Sequence, residues 1–459
     1  MAKEKKTFVC IECGHIAQKW QGKCHHCHAW NSFEEQVAVG TDRPGTKAIK
    51  NISHLTPIKL QEVDLSDGEV RLKTGIGELD RVLGGGLVGG SLSLIGGDPG
   101  VGKSTLLLMA LSEFAKKGLP TLYVSGEESA RQIRLRADRL KIHTDNLHLL
   151  AETDLDSCLA AAEILKPRLL VLDSVQTLYS NSVDSVPGSM SQVREVANRS
   201  MIFAKKTGIS TFLVGHVTKQ GEIAGPKVLE HLVDTVIYFE GDGANQLRCL
   251  RAVKNRFGST GEMGFFEMTE KGLEEVPDAS ARLLSERVKN ASGTTVLASM
   301  EGSRSLLAEV QALVGHPTPA TPGRTVLGMD RSRLQMLLAV LGKIGYQLYD
   351  RDIFCSAAGG VRIMEPAADL AIAAAIASSF RNDPIDHRTL LFGEIGLVGE
   401  VRAVSHPAQR LLEAQRHGFT RVLAPKSAVQ HAPEGLEVIG VRTLRQALAH
   451  LFNKPENNQ

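Results

Sequence analysis

The pattern G-x-x-x-x-G-K-[ST] is matched at every fixed position by residues 97–104, which read Gly-Asp-Pro-Gly-Val-Gly-Lys-Ser. Residues 91–95 before it predict a short buried strand, and residues 105–111 after it predict the start of a helix. Glycines in such a loop let backbone N–H groups turn inward around a phosphate at the helix N-terminus. The segment therefore predicts a strand–loop–helix unit that binds a nucleoside triphosphate, and it favours an α/β fold.

The residue types of this loop also predict how ATP and Mg²⁺ are held. Lys103 is expected to contact the β- and γ-phosphates and to serve as a catalytic residue, and the Ser104 hydroxyl is expected to bind Mg²⁺. The predicted nucleotide-binding set consists of Gly97, Asp98, Pro99, Gly100, Val101, Gly102, Lys103, Ser104 and Thr105.

Composition places the chain among soluble proteins of a reducing cytoplasm. The 459 residues are 42% hydrophobic and 23% charged, and no apolar run approaches the ~20 residues that a membrane span needs. The start of the chain is basic, but no apolar segment of a secretory signal follows it. Because the formal net charge is only +2, a surface that binds nucleic acid must be local or must be built by assembly.

Four of the seven cysteines lie within the first 27 residues, in two C-x2-C pairs. Cys10 and Cys13 form one pair, and Cys24 and Cys27 form the other after ten intervening residues. Two such pairs can offer four thiolates to one tetrahedral ion, so residues 1–38 predict a zinc finger. The neighbouring histidines at positions 15, 25, 26 and 28 are competing ligands, and a redox-active C-x-x-C is the rival interpretation.

An alternation of strands and helices follows a linker predicted at residues 39–68. Apolar runs of strand length occur at residues 121–124, 146–150, 169–172, 211–214 and 236–239. Helical patterns at residues 129–140 and 192–206 lie between them. This alternation predicts that residues 69–284 form a mainly parallel sheet with helices on both faces.

Three carboxylates are placed at the ends of predicted strands, on the edge where such sheets bind ligands. Asp173 ends the buried run 169–172 and is the candidate Walker B residue, which holds Mg²⁺ through water. Glu127 and Glu128 follow the run 121–124. We expect Glu127 to be the catalytic carboxylate, with Glu128 as the alternative.

The short helix and three glycines of residues 74–86, the placement of the phosphate loop and the glutamate after the next strand resemble the RecA/DnaB-like ATPases. Residues 254–258, Lys-Asn-Arg-Phe-Gly, together with the four-cysteine segment and a Lon-like C-terminal region, resemble more narrowly the bacterial RadA (Sms) DNA-repair family. The resemblance covers essentially the whole chain. It implies a DNA-dependent, helicase-like ATPase that processes branched recombination intermediates and promotes branch migration.

The resemblance also implies roles for residues outside the phosphate loop. Lys254 and Arg256 are catalytic residues that would reach the triphosphate of a neighbouring subunit, in a closed and hexameric homo-oligomer. Residues 180–195 and 218–230 resemble DNA-facing loops, and the implied partners are single-stranded and branched DNA and a RecA-type recombinase. His216 stands where the family would place a γ-phosphate sensor, although a buried histidine of the core is an equal alternative.

The C-terminal residues 285–459 resemble the proteolytic domain of Lon, especially at residues 391–402 and 411–414. A Lon-type site needs a serine nucleophile and a lysine. The nucleophile region, residues 365–369, holds no serine, and residues 406–410 hold no lysine, with Ala408 at the expected position. We therefore expect an α+β scaffold that is not a protease, and we expect Cys158, Cys249 and Cys355 to be core thiols.

Two other classes of function remain open from the residues alone. The Lon-like region suggests an ATP-dependent protease or unfoldase. A nucleotide-gated assembly protein of the KaiC kind, without DNA activity, is the second alternative.

Overall fold

The structure, a computed structural model, describes residues 6–10, 16–17, 22–23, 33–37, 71–216, 226–241, 247–317 and 322–452. Contacts divide the chain into two units, Met1–Ser66 and Asp67–Gln459. In the first unit, β1 (Lys6–Cys10) pairs antiparallel with β2 (Ile16–Ala17) and with β3 (Phe33–Val37). Cys10 is the last residue of β1, whereas Cys13, Cys24 and Cys27 lie outside the described residues.

A nine-stranded sheet forms the core of the phosphate-loop region. Its strands are β4 (Leu92–Gly97), β5 (Thr121–Ser125), β6 (Leu147–Ala151), β7 (Leu169–Asp173), β8 (Ser210–His216), β9 (Thr235–Glu240), β10 (Leu247–Asn255), β11 (Met263–Thr269) and β12 (Gly272–Glu275). They lie in the order β12-β11-β10-β9-β4-β8-β7-β5-β6. The six strands from β9 to β6 are parallel, and β10 to β12 extend the sheet in antiparallel fashion. The predicted, mainly parallel sheet is confirmed.

Helices cover both faces of this sheet. They are α1 (Gly77–Val82), α2 (Lys103–Lys116), α3 (Ala130–Arg139), α4 (Leu155–Leu165), α5 (Met190–Thr207) and α6 (Pro226–Leu232). Residues of α1, α2 and α3 form one apolar core with the sheet, and residues of α4, α5 and α6 form a second core on the other face. Local sequence sets the helix ends: a capping box of Ser129 and Gln132 starts α3, and Gly208, with a φ of 75°, ends α5.

A seven-stranded mixed sheet organises the C-terminal region. It contains β13 (Thr294–Glu301), β14 (Arg304–Pro317), β15 (Arg324–Leu327), β16 (Arg351–Ala357), β17 (Thr389–Leu391), β20 (Arg421–Pro425) and β21 (Glu437–Val441) in the order β15-β16-β14-β13-β17-β20-β21. A separate pair is formed by β18 (Glu394–Ile395) and β19 (Val401–Arg402). The helices are α7 (Ala279–Leu284), α8 (Arg331–Lys343), α9 (Asp369–Arg381), α10 (Pro407–Arg416) and α11 (Leu444–Phe452).

The alanine-rich helix α9 lies in the centre of this region, with its residues from Asp369 to Ser378 buried. Small side chains allow this helix to pack closely against the sheet on one side and against α8 and α11 on others. The helix begins two residues later than residues 367–379 predicted, because a 3₁₀ turn at Pro366–Ala368 precedes it.

The turn between β13 and β14 joins the two sheets through polar contacts. Arg251 on β10 forms an ion pair with Glu301 at 3.0 Å, and the backbone N–H of Ser303 donates to Glu262 at 2.9 Å. Arg304 pairs with Glu78 of α1 at 3.2 Å. Helix α7 precedes the predicted domain boundary at residue 285, yet it packs against β14 of the C-terminal sheet. The boundary therefore stays a prediction.

Within the described parts of the chain, no helix has the length and apolar character that crossing a bilayer requires.

Candidate nucleotide-binding site

The loop between β4 and α2 has a backbone shape that only glycines permit at three positions. Gly100 and Gly102 have φ values of 80° and 116°, in the left-handed region. A Cβ atom at Gly97 would lie 2.3 Å from the carbonyl oxygen of Phe239. Gly100 has open space around it, so its backbone can be approached closely. The loop therefore has the open backbone cradle that a phosphate requires.

Lys103 is the first residue of α2 and is only 4% exposed. Its Nζ donates to the carbonyl oxygens of Gly97 at 2.7 Å and Asp98 at 3.0 Å. Burial lowers the pKa of Lys103, although the charges of Asp173, Asp98 and Glu127 oppose that effect. A buried cation held by neutral carbonyls beside a backbone cradle suits a phosphate anion.

Asp173 ends β7 and meets the phosphate loop directly. Its Oδ2 accepts hydrogen bonds from Ser104 Oγ at 2.6 Å and from Tyr123 Oη at 2.5 Å. A serine hydroxyl and a carboxylate in contact are hard oxygen ligands of the kind that Mg²⁺ binds. These two residues fit a magnesium ion. The contact of Tyr123 was not predicted from the sequence.

Glu127 lies at the same edge of the sheet, after β5. Its Oε1 accepts a hydrogen bond from Ser174 Oγ at 2.6 Å and lies 3.0 Å from Nε2 of His216. Burial would raise the pKa of Glu127, but these hydrogen bonds and the positive charge of Lys103 outweigh burial, so the pKa is lowered. The carboxylate is thus held in its ionised form, as a base requires.

Glu128 has a different environment, although it is the next residue. Its carboxylate forms an ion pair with Arg136 of α3, and its backbone N–H donates to Ser125 Oγ at 2.9 Å. This pairing ties Glu128 to α3, whereas Glu127 contacts Ser174 and His216. The geometry favours Glu127 over Glu128 as the catalytic candidate.

His216 is the last residue of β8 and precedes the segment 217–225, which lies outside the described residues. Its side chain is about one-third exposed, and its Nδ1 is buried without a partner among the described residues. The part of the second predicted DNA loop that the structure describes is occupied by α6. In the first predicted DNA loop, the Gln192 side chain donates to the carbonyls of Ser180, Val183 and Ser185, which fixes the loop's shape.

Lys254 and Arg256 lie beside the N-terminal ends of the parallel strands, whereas the phosphate loop of the same chain follows the C-terminal end of β4. Asn255 is in register with Thr235, and Thr235 is in register with Ser93 at the beginning of β4. Gly97, which opens the phosphate loop, is four residues further along β4, or about 13 Å along the strand.

Both cations contact groups of their own chain at the N-terminal ends of the strands. Lys254 Nζ donates to the carbonyls of Glu230 at 2.5 Å and Val233 at 2.9 Å. Arg256 Nη1 pairs with Asp234 at 3.3 Å and remains half exposed. Burial and the charge of Arg256 lower the pKa of Lys254. The structure brings these two residues together but does not bring them to Lys103.

The two Lon-like segments, residues 365–369 and 406–410, meet at a buried ion pair. Arg410 is fully buried and pairs with Glu365, and its Nη1 also donates to the carbonyl of Ala298 at 2.5 Å. Glu365 Oε2 accepts hydrogen bonds from Met300 N at 2.7 Å and Ser299 Oγ at 3.0 Å. Neither segment supplies a serine or a lysine.

The three isolated cysteines are free thiols. Cys158 and Cys355 are buried, and Cys249 is partly buried. Burial raises the pKa of each thiol to about 12, so the thiolate form is disfavoured. These properties agree with the expected core role.

Three protein-family models match parts of the chain. One described as "AAA domain" matches residues 56–222, which include the phosphate loop. A rubredoxin metal-binding domain matches residues 8–35, which include all four N-terminal cysteines. The subunit ChlI of Mg-chelatase matches residues 329–428 of the C-terminal region. The expected order of zinc-ribbon, ATPase and Lon-like regions is confirmed.

Relatives resemble the chain over nearly its whole length. A DNA repair protein RadA of Pseudomonas aeruginosa is 49% identical over 98% of this chain and 100% of its own length. A DNA repair protein RadA of Bacillus subtilis is 48% identical, with 98% and 99% coverage.

Among solved structures, the KaiC-like protein PH0186 of Pyrococcus horikoshii aligns with 45% of this chain and 99% of its own length. The sequence identity is 20% and the TM-score is 0.38, so this likeness does not bear on the function of the chain. The family of the chain is shown by the sequence identities over nearly its full length, together with the AAA-domain match around the phosphate loop. The chain is an ATPase and belongs to the RadA family of DNA repair proteins.

Proposed function

We propose that this chain is a DNA-dependent, helicase-like ATPase that acts on branched recombination intermediates and promotes branch migration in recombinational repair. The observation that carries the proposal is the contact between Glu127 and His216. It links the carboxylate beside the nucleotide site to the residue that precedes the second predicted DNA loop. A conformational change at the nucleotide site would be transmitted to the second DNA loop through this contact, and a change in the loop would be transmitted to the nucleotide site.

Each residue at the phosphate loop would have a separate role in ATP hydrolysis. The segment from Gly97 to Thr105 cradles the ATP phosphates through its backbone, and Lys103 neutralises their charge. Ser104 and Asp173 would hold Mg²⁺, which supplies charge neutralisation at the β- and γ-phosphates when bound. Glu127, ionised at neutral pH, would accept a proton from the attacking water.

Lys254 and Arg256 would complete a neighbouring subunit's site. Their position at the strand ends opposite their own phosphate loop supports action across a subunit boundary. A closed homo-oligomer, of six subunits by family resemblance, is the simplest assembly that gives each phosphate loop such a neighbour. In it the guanidinium of Arg256 would stabilise charge that develops on the transferred phosphoryl group.

DNA binding is assigned to the segments 180–195 and 218–230. The second segment carries lysines at positions 219 and 227, and assembly would bring these cations from every subunit to one channel. Single-stranded and branched DNA are the proposed partners, together with a RecA-type recombinase in the cytoplasm.

The two flanking regions would support this ATPase without adding a reaction. We assign zinc to Cys10, Cys13, Cys24 and Cys27, and a non-proteolytic packing role to residues 285–459. The buried pair of Arg410 and Glu365, in the two segments where a Lon-type dyad would stand, supports the second assignment.

An unwinding and branch-migration assay on labelled forked DNA tests the proposal. The wild-type protein should move the branch point in the presence of ATP, and its ATPase rate should rise when single-stranded DNA is added. The Lys103→Arg variant is the matched control, because it keeps a cation in the loop but not the lysine geometry. Gel shift with ADP should show DNA binding by both proteins. An ATPase that neither binds nor moves DNA would contradict the proposal and favour an assembly protein.

A further inference from the structure

Tyr123 lies in the middle of β5, and its side chain is 1% exposed. The ring belongs to the apolar core that α2 and α3 form with the sheet. Ser125, two residues further along β5, is in register with Asp173 of the neighbouring strand β7. Tyr123 and Ser125 therefore lie on the same face of β5, beside the end of β7.

The Tyr123 hydroxyl donates a hydrogen bond of 2.5 Å to Asp173 Oδ2. A phenol is protonated at neutral pH and a carboxylate is not, so the tyrosine is the donor in this contact. Because the ring is packed in the core, the hydroxyl has a fixed position. A carboxylate otherwise rotates easily about its last side-chain bond, and a rigid donor removes that freedom.

Asp173 Oδ2 also accepts the hydrogen bond from Ser104 Oγ at 2.6 Å. Both donors thus converge on one oxygen, and in the described part of the chain no hydrogen bond reaches the side-chain Oδ1 of Asp173. The carboxylate is anchored by Oδ2, which leaves Oδ1 free to accept from a water molecule of a metal ion. Ser104 is itself the expected Mg²⁺ ligand, so Tyr123 is the anchor that does not change when the metal binds.

We propose that Tyr123 is a positioning residue for magnesium: its hydroxyl holds Asp173 in the orientation in which the carboxylate and Ser104 together receive the ion. This inference rests on the proposed nucleotide site. It assigns a role in metal binding to a residue of β5 that lies outside the phosphate loop in sequence.

The test compares the affinity of the full-length protein for mant-ADP in EDTA and in Mg²⁺. The dissociation constant in EDTA divided by the dissociation constant in Mg²⁺ measures how strongly the metal supports nucleotide binding. Tyr123→Phe should reduce this ratio by about 10- to 150-fold, the range of one hydrogen bond to a charged group. The affinity in EDTA should stay unchanged, because the phosphate loop and Lys103 remain intact. Tyr346→Phe, which removes a half-buried hydroxyl in the C-terminal region, should leave both constants unchanged.

A double-mutant cycle identifies the partner through which Tyr123 acts. If the hydroxyl works through Asp173, the variant Tyr123→Phe/Asp173→Asn should have the same ratio as Asp173→Asn alone. If the reductions of the ratio in the two single variants add up in the double variant, the proposal is overturned. An unchanged ratio in Tyr123→Phe would overturn it as well, and so would an equal loss of affinity in EDTA and in Mg²⁺, which would assign the hydroxyl to the fold. A wild-type protein that does not bind mant-ADP would instead reject the nucleotide site itself.

Discussion

Glu127 Oε1 lies 3.0 Å from His216 Nε2, so the last residue of β8 contacts the carboxylate that follows β5. This contact and the hydrogen bond from Ser174 favour the ionised form of Glu127 and lower its pKa. Replacing His216 by alanine removes one of these contacts, so the pKa of Glu127 should rise. The base would then become protonated at a higher pH than in the wild type.

The acidic limb of the kcat–pH profile should accordingly move to higher pH in His216→Ala. Steady-state ATPase rates at saturating ATP and Mg²⁺, measured from pH 9 down to below the ordinary glutamate pKa of 4.5, would measure the shift. Ser174→Ala should move the limb in the same direction. Glu128→Gln, which disturbs only the pair with Arg136, should leave it in place. A profile that does not change in His216→Ala would exclude Glu127 as the base.

Mixing two impaired variants should restore ATP hydrolysis if Lys254 and Arg256 act across a subunit boundary. Lys103→Ala should bind nucleotide poorly and hydrolyse none, whereas Arg256→Ala should bind ATP normally and hydrolyse slowly. Rings that contain both would have some sites with a sound phosphate loop and a sound neighbouring arginine. Co-assembly should therefore give an ATPase rate above that of either variant alone. If mixed rings form and stay inactive, the pentapeptide acts within its own subunit.

The four N-terminal cysteines should bind one zinc ion per chain, and Cys24→Ser should lose it. The thermal transition of residues 70–459 should not change, because the ATPase and Lon-like regions have apolar cores of their own. Metal analysis of protein purified without chelator would measure the stoichiometry. A chain that carries no zinc under these conditions would refute the assignment.

The buried ion pair in the Lon-like region should be important for stability. Arg410→Ala leaves Glu365 without its guanidinium partner, which should cost about 3–5 kcal/mol in the free energy of unfolding. Arg416→Ala on the same helix removes an exposed pair with Asp278 and should cost less than about 1 kcal/mol. Urea denaturation would compare the two. Equal effects would mean that Arg410 is not anchored as the structure places it.

Residues 285–459 should have no peptidase activity, because the segments around residues 365 and 408 lack a nucleophile and a lysine. Incubation of the ATP-loaded protein with fluorescent casein should release no peptides. Cleavage that is abolished by an active-site serine inhibitor would contradict this expectation.

Much of the ATPase fold follows from the sequence because its central parallel strands β4, β5, β7 and β8 are buried on both faces. Their runs are mostly apolar, and the ends of these four strands could be placed within two residues. The hairpin strands β11 and β12 were not identified, since their role depends on pairing with β10 rather than on a pattern of their own.

The candidate site was predictable where the chemistry is local in sequence, as at residues 97–105. It was not predictable where a contact depends on strand register. The hydrogen bond from Tyr123 to Asp173 and the contacts of Lys254 with the carbonyls of Glu230 and Val233 join residues that are distant in the chain. One signal was present for Tyr123: it is a hydroxyl-bearing aromatic in a strand next to the one that ends at Asp173.

The pairing of Arg410 with Glu365 also bears on how such a chain could have evolved. A serine and a lysine introduced into the two segments would meet an arginine and a glutamate that are already paired with each other inside the fold. Removing either partner to make room would destabilise the region before any peptidase activity appeared. Any substitutions that introduced a serine and a lysine here would therefore have to keep Arg410 and Glu365 together for the region to stay folded.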